Sequence, residues 1–256
     1  MRIFNFVKNS IKEEMRYKTN FFGGILALLT LYSLQFVFFD VISSIAISKE
    51  DDSNWLLIFF MSYAIGGLLV SFFSSSISGF FRQLTRGRID PLLVRPINLF
   101  KLIFFRWCQV HFLFVAVLLL LFCIASEKID LQPFLTNTTN TALYLLVLIA
   151  GVLASVAFLL ALNSFSFMTQ RDLPVDYIHS SIFTFALLPT TFYSKLLMNF
   201  LVATLPMIVF VSAALDALYH GVTLFVITFI TISIAQLTFA TGLIKKHFKR
   251  FDSIGG

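Results

Sequence analysis

The chain has 256 residues, 58% of them hydrophobic and only 12% charged, with 33 Phe and a mean hydropathy of +0.90. A soluble domain of that length cannot bury so much apolar surface, so the composition excludes a soluble globular protein and indicates an integral membrane protein. The net charge of +6 does not point to nucleic acid, because the Lys and Arg lie in blocks beside apolar runs, as the flanks of membrane helices do.

Residues 1–20 form the first unit. On a helical wheel Ile3, Phe4, Val7, Ile11 and Met15 share one face and Arg2, Lys8, Asn9, Lys12, Glu13 and Arg16 the other, with Phe6 out of pattern. This predicts an interfacial helix lying along the inner leaflet before the chain turns into the membrane. The stretch has neither a long apolar core nor a small-residue cleavage site, so it does not read as a signal peptide.

Residues 21–256 read as one transmembrane domain. The apolar runs Phe21–Ile47 and Trp55–Phe81, separated by the polar loop Ser48–Asn54, each suffice to cross roughly 30 Å of hydrocarbon. A basic, proline-bounded segment, Arg82–Arg106, comes next. Leu102–Ala125 and Thr141–Phe167 give spans three and four, joined by polar Ser126–Asn140 with Pro133. Cys108 and Cys123 lie near opposite ends of span three, too far apart along one helix for a disulfide.

Tyr177–Ile244 has length for roughly three spans at about 20 residues each, but Pro189, Lys195, Pro206 and Asp216 interrupt it. Three crossings would put Lys245, Lys246, Lys249 and Arg250 opposite the N-terminal Arg2, Lys8, Lys12, Arg16 and Lys18, against the positive-inside rule. The charges therefore favour two spans, about Asp176–Met198 and about Val222–Leu243, with Asn199–His220 a broken re-entrant piece near the outer face. An alternative makes Ile178–Thr191 the re-entrant part on the cytoplasmic side and Lys195–Leu215 the span. On the favoured reading only Lys49, Lys128 and Lys195 fall outside, and both termini are cytoplasmic. The expected fold is all-α, with six transmembrane helices, the interfacial helix, a cytoplasmic loop between spans two and three and a re-entrant segment between spans five and six.

The motifs of catalysis are missing. No G-x-x-x-x-G-K-[ST] occurs, and Gly23-Gly24 and Gly66-Gly67 sit in apolar runs, where they read as close helix packing. His111, His179, His220 and His247 are scattered, without H-E-x-x-H, paired Cys or a G-x-S-x-G elbow, so no metal or catalytic site is expected. The serines at 74, 75, 76 and 78 read as small residues at a helix contact that bond their own helix carbonyls. Ionisable groups within the spans are few, which weakens the alternatives of a secondary transporter or channel, and the missing motifs weaken a membrane-embedded lipid-modifying enzyme. Gln35, Asn163 and Gln236 are candidates for a substrate path or for interhelical hydrogen bonds.

With no nucleotide site of its own, the chain offers the loop as the port through which another protein acts. Pro91 and Pro96 fix φ and bias Asp90 and Arg95 toward extended backbone, and Gly87 permits a tight turn between Arg86 and Arg88. Leu92, Leu93 and Val94 make an apolar knob for a partner's groove or the membrane surface to cover. The other reading of the loop is interfacial, its arginines meeting anionic lipid phosphates.

The segment Gly87-Arg88-Ile89-Asp90-Pro91-Leu92-Leu93-Val94-Arg95-Pro96-Ile97-Asn98 resembles the G-x-[IL]-D-x-L-L-x-[RK]-P-x-[NS] motif of permease subunits in bacterial ATP-binding-cassette exporters of the type-2 membrane class. Arg16–Phe21, Leu188–Phe192 with Leu205-Pro206, and Lys249–Gly256 resemble the same family in the same order, although Phe251 stands where the family commonly has Tyr. The resemblance implies a permease in the bacterial plasma membrane, paired with a second permease subunit, the same or a related one, and with two copies of a cytoplasmic ATPase. The chain would bind no cofactor itself; ATP and Mg would act through the partner ATPase. It further implies that Arg86, Gly87, Arg88, Asp90, Pro91, Leu92, Leu93, Arg95 and Pro96 form the ATPase-coupling loop, and that Pro189, Lys195, Pro206 and Asp216 belong to re-entrant elements at the external gate.

Overall fold

Lipid offers a peptide group no hydrogen bonds, so apolar stretches of this length satisfy their N–H and C=O groups by forming helices. The computed structural model describes residues 3–46, 53–93, 98–169 and 171–249, and among them all regular structure is helical. Helix α1 (Ile3–Glu14) passes through a 3₁₀ turn (Met15–Tyr17) into α2 (Lys18–Ala46), and α3 (Ser53–Thr85) is next. Then come a single turn, α4 (Asp90–Leu93), and α5 (Leu99–Phe105), α6 (His111–Ala125), α7 (Gln132–Thr136), α8 (Thr138–Ser164) and α9 (Ser166–Thr169). The chain closes with α10 (Val175–Phe183), α11 (Lys195–Thr204), α12 (Phe210–His220) and α13 (Leu224–Phe248).

Among the described residues four helical runs are long and apolar enough to cross a membrane: Phe6–Ser44, Asn54–Thr85, Thr138–Thr169 and Leu224–Phe248. They fall on the predicted spans one, two, four and six. Polar side chains cap two of their starts: Asn137 accepts the N–H groups of Thr139 and Asn140, and Thr223 that of Val226.

Spans three and five are corrected. Leu102–Ala125 is not one helix, because α5 ends at Phe105 and α6, only 15 residues long, begins at His111. The broken backbone is tolerated because side chains meet it. Trp107 N–H donates to Ser76 Oγ (3.2 Å), Gln109 N–H to Ser75 Oγ (3.1 Å) and Val110 N–H to Glu14 Oε1 (2.8 Å). Asp176–Met198 is also interrupted. After α10 a 3₁₀ turn runs to Leu187, Pro189 with no N–H to give ends it, a second turn covers Thr190–Phe192, and Ser194 caps α11 through Leu197 N–H.

Side-chain contacts define two ends of the bundle. At one, Arg106 meets Glu13 at 3.0 Å, Arg82 meets Asp172 at 3.9 Å, and His247 Nδ1 lies 3.1 Å from Ser164 O. The loop after α3 lies here, so this is the motif end, and α1 and the last turn of α13 share it. At the far end Lys128 reaches Asp40 at 3.4 Å, Asn54 both donates to and accepts from the backbone of Asp130, and Asn140 Nδ2 donates to Leu218 O at 3.1 Å.

Helices α11 and α12 form a V with its apex at the 3₁₀ turn Pro206–Ile208, Met198 on one arm and Asp216 and His220 on the other facing one cavity at the far end. Gln236, midway along α13, donates to Thr204 O at 2.9 Å, and at the apex Phe210 lies against Gly66 and Gly151 in the middle of α3 and α8. Thr190 N–H donates to Ser212 Oγ at 3.3 Å on the upper arm, so the chain from α10 has by then climbed away from the motif end. The alternative with Lys195–Leu215 as one span is thereby corrected, since the chain reverses at Leu205–Val209. Phe59, Phe60, Phe80, Phe81 and Phe229 fill the core with Phe210, while Leu26 and Leu34 on α2 stand 68% and 66% exposed, a surface suited to acyl chains and not to water.

Candidate functional site

The motif loop is built on a left-handed turn. Gly87 has φ +66°, a conformation that costs a side-chain-bearing residue energy, and there Gly87 N–H donates to Leu84 O and Arg88 N–H to Gln83 O, both at 3.0 Å. The turn throws Arg86 and Arg88 outward and Ile89 inward, where it is fully buried. Asp90–Leu93 then makes one helical turn with Pro91 exposed at its start. Leu92 is half-buried against the core, so the chain itself covers part of the predicted apolar knob. Val94, Arg95, Pro96 and Ile97 lie outside the described residues. Asn98 restarts the helix, its side chain accepting Phe100 N–H at 3.0 Å.

Beyond the loop lies a clamp that sequence reasoning missed. Glu13 pairs with Arg106, Ser10 Oγ donates to Arg106 O at 3.0 Å, and Glu14 takes Val110 N–H while lying 3.7 Å from His111 Nδ1. These contacts bind α1 to the α5–α6 break. They also explain Phe6, which is buried beside Ser10 while Val7 and Ile11 pack on Phe72, Cys108 and Val110; the predicted membrane face is partly a protein face. Ser75 and Ser76 accept N–H groups from the break, and Ser74 and Ser78 donate to Asp176, so the serine run serves other elements as well as its own helix.

At the far end, α12, α13, α11 and the start of α3 enclose a cavity of about 690 Å³ lined by residues including Trp55, Thr190, Met198, Asp216, His220 and Thr223. Asp216 accepts a hydrogen bond from the Thr223 hydroxyl and lies 3.1 Å from His220 Nδ1. Of the residues predicted for the gate, Asp216 lines this cavity and buried Pro189 precedes Thr190 in its wall. Pro206 sits at the apex of the V, and Lys195 is exposed at the start of α11, apart from the cavity.

The three polar candidates for a path are not brought together. Gln236 joins α13 to α11, buried Asn163 donates to Leu159 O of its own helix at 2.9 Å, and Gln35 lies on α2 with its Oε1 buried and unpartnered among the described residues. Gly66 and Gly67 face Phe210 and Phe183 as close-packing positions should, whereas Gly23 has nothing within 4 Å. Among the described residues no group of three His, Cys, Asp or Glu side chains is placed to hold a metal ion, and Cys108 and Cys123 are both free and buried.

Long apolar helices with lipid-suited outer faces, and ion pairs gathered at two ends, define a multi-pass α-helical membrane protein. The family model for the ABC-2 family transporter protein matches residues 26–255, and the chain belongs to that family. Its role is therefore that of a transporter's membrane component, a permease, and not of the catalytic part. No curated protein and no solved structure matches the chain.

Proposed function

We propose that the chain is the translocation subunit of an ATP-driven exporter in the bacterial plasma membrane, with both termini cytoplasmic. Its six passes are α2, α3, α6, α8, the composite rise from α10 to Tyr193, and α13, with the α11–α12 V as the re-entrant element. Two such subunits, identical or related, enclose the path, and two cytoplasmic ATPases supply ATP and Mg. The observation that carries this reading is the position of the motif's described part, Gly87–Leu93. It lies at the same end as the N-terminal flank that carries Lys8, Lys12, Arg16 and Lys18 and the basic last turn of α13, the Lys and Arg clusters that the positive-inside rule associates with the cytoplasm.

In this mechanism closure of the ATPases pushes on Arg86, Gly87, Arg88, Asp90, Pro91, Leu92, Leu93, Arg95 and Pro96. The load passes through α5 to the clamped break at Arg106–Val110 and so to α1 and α6, while Pro189, Lys195, Pro206 and Asp216 belong to the outer gate. The loop must contact the ATPase differently in its two states, or no work is transmitted. The described ion pairs lie at the two ends of the bundle, which is poor provision for a gradient-driven carrier. Replacing Asp90 and Arg95 together by Ala is expected to uncouple transport from ATP hydrolysis and leave membrane insertion intact. Undiminished transport by the inserted double variant would sink the proposal, as would flux driven by an ion gradient and indifferent to vanadate.

A further inference from the structure

Between α3, α5, α8 and α13, on the motif side, lies a cleft of about 400 Å³ with walls of Phe73, Phe100, Phe104, Leu153 and Leu237 and with Lys245 at its mouth. From Leu237 to Lys245 it runs along α13 for about 12 Å, at 1.5 Å per residue. The walls are ordered: Phe100 and Phe104 stack with centroids 6.4 Å apart, and Phe73 meets Phe104 edge-on at 6.2 Å. Lys245 Nζ stands 5.8 Å from the centre of the Phe100 ring, and among the described residues no carboxylate pairs with it.

We propose that this cleft is a binding site for an anionic phospholipid, one acyl chain lying between α5 and α13 and the headgroup phosphate meeting the Lys245 ammonium. An apolar slot facing lipid fills with acyl chain whatever the headgroup. The ammonium at its mouth, with no carboxylate beside it among the described residues, selects the charge, as basic pockets between membrane helices do. Lys245 belongs to the last turn of α13 with Lys246, where a long basic side chain reaches the phosphate level while its stem stays in hydrocarbon. The bound chain would wedge α5, the helix just after the motif loop, against α13, making the loop's footing dependent on lipid charge. The site rests on the membrane placement of these helices and not on the ATPase.

The test uses the full chain in nanodiscs with phosphatidylglycerol or phosphatidylcholine probes carrying a photoreactive group on the acyl chain, the labelled peptides being mapped by mass spectrometry. The phosphatidylglycerol probe is expected to label α5 and the Leu237–Lys245 stretch about fivefold more than the phosphatidylcholine probe does. Lys245→Gln removes that preference and Lys245→Arg keeps it, both with wild-type helical circular dichroism. Leu153→Trp, which fills the slot, lowers labelling by both probes. Equal labelling of the wild type by the two headgroups overturns the proposal, as does a preference untouched by Lys245→Gln or labelling no denser than on the outer face of α2.

Discussion

The backbone leaves helical geometry at Arg106–Val110, at the motif end, and at Leu205–Val209, in the middle of the bundle, and these breaks are secured by different forces. At the first the loosened N–H groups are met by Ser75, Ser76 and Glu14, with the Glu13–Arg106 pair beside them. At the second the fastening is volume: Phe210 fills a socket whose floor is Gly66 and Gly151. Hydrogen bonds near a wet boundary can be exchanged for water, so the first break suits a place that shifts. A ring wedged between glycines has no such substitute and suits a fixed point.

The contrast can be broken at the socket first. Phe210→Ala is expected to destabilise the chain by about 3–5 kcal/mol, read as lost thermal stability in detergent. Gly66→Ala, whose methyl would sit 2.6 Å from Phe210 Cε2, should cost about 1–3 kcal/mol. The two together should cost clearly less than their sum, because the space the ring leaves then admits the methyl; additivity within about 0.5 kcal/mol would show that Phe210 and Gly66 do not share a socket.

A smaller loss than at Phe210 is expected from Glu14→Ala, about 1–3 kcal/mol for an orphaned N–H. Amide exchange should quicken at Trp107–Val110 and stay unchanged at Met207–Val209. Protection unaltered at Val110 would remove Glu14 from the clamp. Asn98→Ala should have the smallest effect, about 1 kcal/mol for a lost cap, seen as faster exchange confined to the first turn of α5.

Hydropathy made spans one, two, four and six legible, because each is an unbroken apolar run whose backbone is satisfied internally. It could not show the break in span three. Arg106 and Gln109 are diluted by the Leu and Phe around them, and the acceptors that permit the break come from Ser75, Ser76 and Glu14, far away in sequence. Pro189 and Pro206 marked interruptions correctly, yet the reversal before α12 depends on packing against α13 and α8 that no local pattern carries. The motif loop was legible as a turn at Gly87, since the left-handed backbone there selects glycine. Ile89 as its buried anchor was not, because Leu92 and Leu93 are equally apolar and only the turn decides which side chain points inward.

The helical run from α1 into α2 contains no coil, only the 3₁₀ turn at Met15–Tyr17. Its 12 and 29 residues make arms of about 18 Å and about 44 Å at 1.5 Å per residue. Seen mechanically it is a lever with its short arm pinned at Arg106 and Val110. Any rotation about the Met15–Tyr17 turn that moves the pinned arm displaces the far tip of α2, beyond Asp40, by more than twice as much.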